Sequence, residues 1–164
     1  MKPADIFFRK TILSDRLWIN NFISEHWGAE FVVVRNRKIY PGKLNGFAAF
    51  KSTKLVGLVT YKIRKSGCEI VTLNSEVKRK GIGKRLVELV ENETRVNNCS
   101  SVWLITTNDN LDAVAFYQIL GYRLIKVYPG AVDSSRKIKP EIPLVADNGI
   151  PIRDELRFFK ALSK

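Results

Sequence analysis

Hydrophobic positions change their spacing partway along the chain, and two kinds of structure follow from the two spacings. After a short apolar stretch at Ile6 to Phe8, TILSDRLWINNFISEHWG places Leu13, Leu17, Trp18 and Phe22 at helical intervals and stops at Gly28, which predicts a first helix. EFVVVRNRKIY then reads as strand, turn and strand, and GFAAFKSTKLVGLVTYKI as a hairpin turning near Ser52 to Lys54. CEIVTLN is a further strand after a short turn. The first half is therefore a β-meander behind one helix.

From Ile82 the apolar residues fall at 82, 86, 89 and 90, a helical stripe that ends near Asn97 and Asn98. SVWLIT is a continuous apolar run of the kind seen in strands buried on both faces. A second helix, with Asn108 to Asn110 as cap candidates, carries Ala113, Phe116, Tyr117 and Leu120 on one face and stops at Gly121. YRLIKVY resumes as strand. Strand, helix, strand, helix, strand predicts a βαβ core, and with the meander the fold class is α/β in the α+β sense. Its expected centre is a mixed, mostly antiparallel sheet flanked by helices. Pro129 to Pro151 reads as an ordered excursion of irregular structure, and Arg153 to Leu162 as a short final helix.

A chain of 164 residues suits one domain with a real core, so one domain over residues 1–164 is expected. No apolar run approaches the roughly 20 residues of a membrane span, and MKPADIFFRK lacks the apolar core of a signal peptide, so a cytoplasmic location is expected. Cys68, Cys99 and the single His26 have no metal-site spacing, and neither a metal nor a disulfide is expected. The net charge of +12 favours an anionic ligand: nucleic acid, a membrane surface or a phosphorylated cofactor. The basic residues are scattered, as on a solvated surface. No helix-turn-helix or RRM-like signature is present, which argues against nucleic acid.

VKRKGIGKRLVELVENE places Gly81 and Gly83 where a helix is about to begin. Glycine inside a helix costs about 1 kcal/mol relative to alanine, so another requirement must favour these two. Between a strand and a helix, such a loop lets an anion approach the backbone N–H groups and the positive end of the helix dipole. Lys78, Arg79, Lys80, Lys84 and Arg85 add charge beside it. A dinucleotide fingerprint fails, because Leu86 stands where its third glycine belongs, and the Lys-Ser/Thr ending of a Walker loop is missing.

KRKGIG, Lys78 to Gly83, resembles the Q/R-x-x-G-x-G/A signature of the GNAT superfamily of N-acetyltransferases, with Lys78 in place of Gln or Arg. NLDAVAFYQILGY is similar to that family's N-x-x-A-x-x-F-Y-x-x-x-G-F/Y pattern, with Asn110, Ala113, Phe116, Tyr117, Gly121 and Tyr122 all in place. The resemblance covers residues 55–128 by motif and the rest by topology. It implies a GNAT-like domain that takes acetyl-CoA as co-substrate and acetylates a primary amine of a small molecule or peptide in a ternary complex. In that reading the loop Lys78, Arg79, Lys80, Gly81, Ile82, Gly83 and Lys84 holds the pyrophosphate. Val71, Leu73 and Asn74 on the preceding strand meet the pantetheine arm, with Asn110 and Phe116 beside it. Residues 129–164 would pack near the acceptor site.

Acetyl transfer to an amine needs a base and an acid. A lysine-like amine with pKa about 10.4 must lose a proton, and a departing thiolate of reference pKa about 8.5 gains from receiving one. The resemblance makes Tyr117 the acid. Glu69 is the candidate base; it precedes Leu73 on one strand, so its side chain shares a face with residues 71 and 73 unless a bulge intervenes. A solvent-facing or salt-bridged strand glutamate and a water relay are the alternatives. His26 and Trp27, and the Arg136 to Pro143 and Asn148 to Glu155 stretches, are candidates to shape the acceptor pocket. The alternative functions are a regulatory module that binds acetyl-CoA without turnover and, from charge alone, a nucleic-acid binder. Either a monomer or a homodimer is compatible.

Overall fold

The structure, a computed structural model, describes residues 5–163, so the outermost residues of the expected 1–164 domain lie outside the described part. The chain runs β1 (Ile6–Lys10), α1 (Arg16–Trp27), β2 (Val32–Val34), β3 (Arg37–Ile39), β4 (Asn45–Lys51), β5 (Lys54–Arg64) and β6 (Gly67–Ser75). It continues α2 (Ile82–Val96), β7 (Ser101–Thr107), α3 (Leu111–Ile119), β8 (Arg123–Tyr128), α4 (Ala131–Arg136) and β9 (Glu155–Ala161). Seven strands form one sheet in the order β1-β4-β5-β6-β7-β9-β8, while β2 and β3 form a separate hairpin. Every neighbouring pair is antiparallel except β6 with β7. The mixed, mostly antiparallel sheet read from the sequence is the one observed.

The tight turns follow from local chemistry. Arg35 and Asn36 both take positive φ, 50° and 59°, the conformation a two-residue hairpin turn requires, and they join β2 to β3. The Asn110 side chain accepts a hydrogen bond from the Ala113 N–H at 3.2 Å and so caps α3, while Gly28 ends α1 at φ 78°.

Each face of the sheet buries a separate apolar cluster. On one face Ile82, Leu86, Val87 and Val90 of α2 and Tyr117 of α3 pack with Val59, Tyr61, Ile70, Leu104 and Phe158. On the other, Ile19, Phe22 and Ile23 of α1 pack on Ala48 and Leu58. This corrects the expected stripe of α1. Leu13 and Leu17 are 86% and 75% exposed, because the helix starts only at Arg16 and turns Ile19 and Ile23 toward the sheet instead. In β7, Val102 and Leu104 are buried whereas Trp103 and Ile105 are half-buried, so the strand is fully covered on one face only.

The C-terminal part departs furthest from the expectation. Residues 155–161 are not a helix but strand β9, which inserts between β7 and β8 and pairs antiparallel with both. The proline-bearing excursion contains α4 and is otherwise irregular. Among the described residues no helix is long and apolar enough to cross a membrane.

Candidate active site

Strands β6 and β7 pair only over Cys68–Ile70 and Val102–Leu104, and beyond Ile70 they separate. A cavity of about 660 Å³ opens in the gap. Its walls are Ile70, Val71 and Leu73 of β6 and Leu104, Ile105 and Thr106 of β7, with α3 along one side and the start of α2 at one end. Of the residues expected at a cofactor, Val71, Leu73, Lys78, Arg79, Gly81, Ile82, Gly83, Lys84, Asn110, Phe116 and Tyr117 all line this cavity. Two do not. Lys80 turns to a neighbouring cavity of about 410 Å³ beside β1, and the Asn74 side chain is taken by Trp27, whose indole N–H donates to Asn74 Oδ1 at 2.9 Å. Trp27 itself reaches the main cavity.

The two glycines have different physical reasons. Gly81 caps α2 at φ 72°, where a Cβ would be strained, and the space a side chain would fill is open. Gly83 is helical, and a Cβ there would meet the Phe116 ring at 3.4 Å, an ordinary contact, so this position lies where α2 packs on α3. Arg79, at φ 62°, also helps turn the loop. No side chain caps the start of α2, and residues 82–84, whose N–H groups have no partner within the helix, line the cavity.

Tyr117 lies at the other side of the same space, only 5% exposed, between Phe116, Tyr122 and Phe158. Burial pushes its phenol well above the usual tyrosine range, and the hydroxyl has no hydrogen-bond partner among the described residues. Tyr122 is differently placed: its hydroxyl donates to the buried Glu91 at 3.1 Å, and Lys160 donates to the same carboxylate at 2.8 Å.

Residues 14–122 match the model of the Acetyltransferase (GNAT) family. The chain belongs to that family. It is 43% identical to the protein YdhI of Bacillus subtilis (strain 168) over 145 residues, which span 88% of this chain and 91% of the relative. Among solved structures it is similar to the IAA acetyltransferase from Bacillus cereus ATCC 14579, with TM-score 0.72, 19% identity and coverage of 96% and 99% of the two chains. It is also similar to a GNAT family acetyltransferase from Elizabethkingia anophelis with acetyl-CoA bound, with TM-score 0.65, 15% identity and coverage of 97% and 99%.

In this GNAT domain the bulge left open by the sequence is present. Thr60 pairs with Thr72 and Tyr61 with Ile70, so Val71 is an extra residue on β6. The parity of the strand changes there, and Glu69 falls on the face of Thr72 and Asn74, opposite Leu73. The expected common face of residues 69, 71 and 73 is therefore not formed. Glu69 is 1% exposed, and both of its oxygens are engaged by guanidinium groups: Arg37 Nη2 donates to Oε1 at 2.7 Å, and Arg64 Nη2 and Nε donate to Oε2 at 2.8 and 3.0 Å. Such a carboxylate is built to hold arginines.

The remaining candidates serve the frame. The His26 ring stacks on Phe22 and Nδ1 lies 2.9 Å from the Phe22 carbonyl, which places it as the end of a packed helix. Arg136 donates to the carbonyls of Ile142, Pro143 and Ile152 and ties the excursion together. Lys139, 6% exposed, donates to the carbonyls of Trp27 at 2.6 Å and Phe31 at 3.2 Å, so the excursion reaches the cavity by holding Trp27. The carboxylate of Glu155 accepts from the Arg35 N–H at 3.2 Å, and burial pushes its carboxyl above the usual range. Both cysteines are free thiols, Cys68 pushed up to about 11 by burial, and the described residues contain no cluster of His, Cys, Asp and Glu suited to a metal. Arg37 and Arg64 were not singled out from sequence. Basic residues alternate in RNRK and YKIRK, but nothing local says that they converge on Glu69.

Proposed function

We propose that this protein transfers the acetyl group of acetyl-CoA to a primary amine of a small molecule or peptide by direct attack within a ternary complex. The observation that carries the reading is one cavity between the separating strands β6 and β7, lined both by the uncapped start of α2 and by Tyr117. An elongated ligand with a diphosphate at one end and a thioester at the other fits that arrangement, and the relative from Elizabethkingia anophelis holds acetyl-CoA.

In this account the loop Lys78–Lys84 binds the pyrophosphate through backbone N–H groups and neighbouring lysines, and Asn110 and Phe116 flank the pantetheine. Backbone groups of β6 around Val71 and Leu73, which β7 leaves unpaired, bond the pantetheine amides, and one N–H polarises the thioester carbonyl. The amine nitrogen attacks that carbon, the C–S bond breaks, and the thiolate is met by the Tyr117 hydroxyl. Burial pushes this phenol above the usual tyrosine range, so it is protonated at neutral pH and has a proton to give. Glu69 is spoken for by Arg37 and Arg64, so the amine proton leaves through water.

The test is release of free CoA thiol from acetyl-CoA across a panel of amines, with a melting scan in CoA alongside. Thiol release that requires an amine and falls by roughly one to two orders of magnitude in Tyr117→Phe supports the reading. A melting shift with no turnover on any amine favours the regulatory module, and absence of both rejects acetyl transfer.

A further inference from the structure

A second cavity, of about 610 Å³, lies beside the first, and Val71 lines both. Its size suits a small molecule. Its walls come from β3, the turn at Pro41–Lys43, the start of β4 and the end of β5. Among the described lining residues five are cations, namely Arg37, Lys38, Lys43, Lys62 and Arg64, and none is a carboxylate. Like charges repel, so this convergence needs a cause. Part of it is Glu69, which lies behind the wall and clamps Arg37 and Arg64 through four N–H donors at 2.7–3.2 Å. Glu69 cancels one charge of the five. Arg37 Nε and Arg64 Nη1 keep no partner among the described residues, and Lys62 makes no ion pair among them. Lys38 and Lys43 lie over aromatic rings, at 4.1 Å from Phe31 and 5.0 Å from Tyr40, which positions them without neutralising them.

From these observations we infer that the acceptor is a small primary amine bearing an anionic group, a carboxylate or a phosphate, which this cavity holds while the amine reaches Val71 and the thioester. The inference rests on the acetyl-transfer reading and deepens it. Glu69 becomes a positioning residue that presents two guanidinium groups to the anion. Diamines and lysine-rich peptides are disfavoured, because their second ammonium would enter a wall of like charge.

The experiment compares kcat/KM for matched amines: γ-aminobutyrate, its neutral amide, putrescine, phosphoethanolamine and ethanolamine. An anionic member should exceed its neutral partner and putrescine by at least about tenfold, and Lys62→Glu should remove most of that preference. A carboxylate preference and a phosphate preference are separated by the first and fourth compounds. Binding is read independently of turnover by calorimetric titration of γ-aminobutyrate and phosphoethanolamine into the CoA complex, where Lys62→Glu should weaken affinity by about tenfold. The melting shift with CoA reports whether the variant is folded and its first cavity intact. Equal or better turnover of putrescine or the amide overturns the inference, as does failure of both anions to bind a protein that does bind CoA. Should CoA itself fail to bind, the acetyl-transfer reading falls and this inference falls with it.

Discussion

A methyl group on Gly83 would meet the ring of Phe116 at 3.4 Å, an ordinary contact distance, so the start of α2 packs on the middle of α3 with room for one methyl between them. Alanine at 83 fits, whereas the two further methyl groups of valine are expected to crowd the ring. CoA should therefore still raise the Tm of Gly83→Ala, and Gly83→Val should lose the shift while retaining helix content in far-UV circular dichroism. A ligand bound only to the native state stabilises by about 2.7 kcal/mol at a hundred times its Kd, which a melting scan resolves easily. An unchanged shift in the valine variant would reject the assignment of the loop.

Tyr117 combines near-complete burial with a hydroxyl that has no protein partner among the described residues. Tyr117→Phe should keep CoA affinity within a few-fold and lower kcat by roughly one to two orders of magnitude, the range of a lost general acid. Single-turnover measurements check that chemistry limits the rate. Wild-type turnover under that condition would leave Tyr117 as a packing residue.

Glu69→Gln tests the carboxylate that the sequence offered as a base. Because both oxygens face guanidinium groups, the variant should lower kcat/KM by a factor that does not change with pH, giving parallel profiles. It should also cost roughly 1–3 kcal/mol in urea unfolding, through lost charged hydrogen bonds. A loss that shrinks as pH rises toward the amine pKa, about 10.4, would restore Glu69 as the base.

Asp15 offers a stability measurement away from the site. It accepts from Arg9 at 2.7 and 2.9 Å, from the Ile12 N–H at 2.8 Å and from Trp18 Nε1 at 2.9 Å. Arg9 above all holds its carboxyl well below the usual carboxylate range. A depressed folded pKa contributes stability above the unfolded value, near 3.9, and loses it as pH falls below that value toward the folded one. Asp15→Asn should thus cost roughly 1–2 kcal/mol at neutral pH, and the gap from wild type should close in acid. Urea melts across the acid range measure it; a gap independent of pH would place the effect in packing.

Lys139 joins the excursion after α4 to the end of α1 through the carbonyls of Trp27 and Phe31. Lys139→Met keeps the stem and removes the donors, leaving two carbonyls unsatisfied. Hydrogen exchange should quicken in residues 27–31 and 137–143, and Trp27 fluorescence should shift, with the α2 and α3 amides unchanged. Uniform acceleration across the chain would instead mean a global loss of stability.

Helices α2 and α3, their caps and the glycine loop could be read from the sequence because their causes are local. A stripe of apolar residues, Asn110 bonding a backbone N–H three residues on, and a glycine at positive φ each act within one or two turns of chain. Those local elements carry Gly81, Gly83, Asn110 and Tyr117, so most of the first cavity was legible before the fold was known. Strand β9 was not. Its buried Glu155 and Phe158, with Leu162 beyond, stand three and four residues apart, a spacing a helix would also use, and only β7 and β8 on its two edges make it a strand. The face of Glu69 depended likewise on the extra residue at Val71, which exists only in the pairing of β6 with β5. Its partner Arg37 lies 32 residues away on a different hairpin. Tertiary structure alone decided that the carboxylate holds arginines, because hydrogen bonds and charge pairs between distant segments form only when sheet register brings them together, and register is a property of both strands.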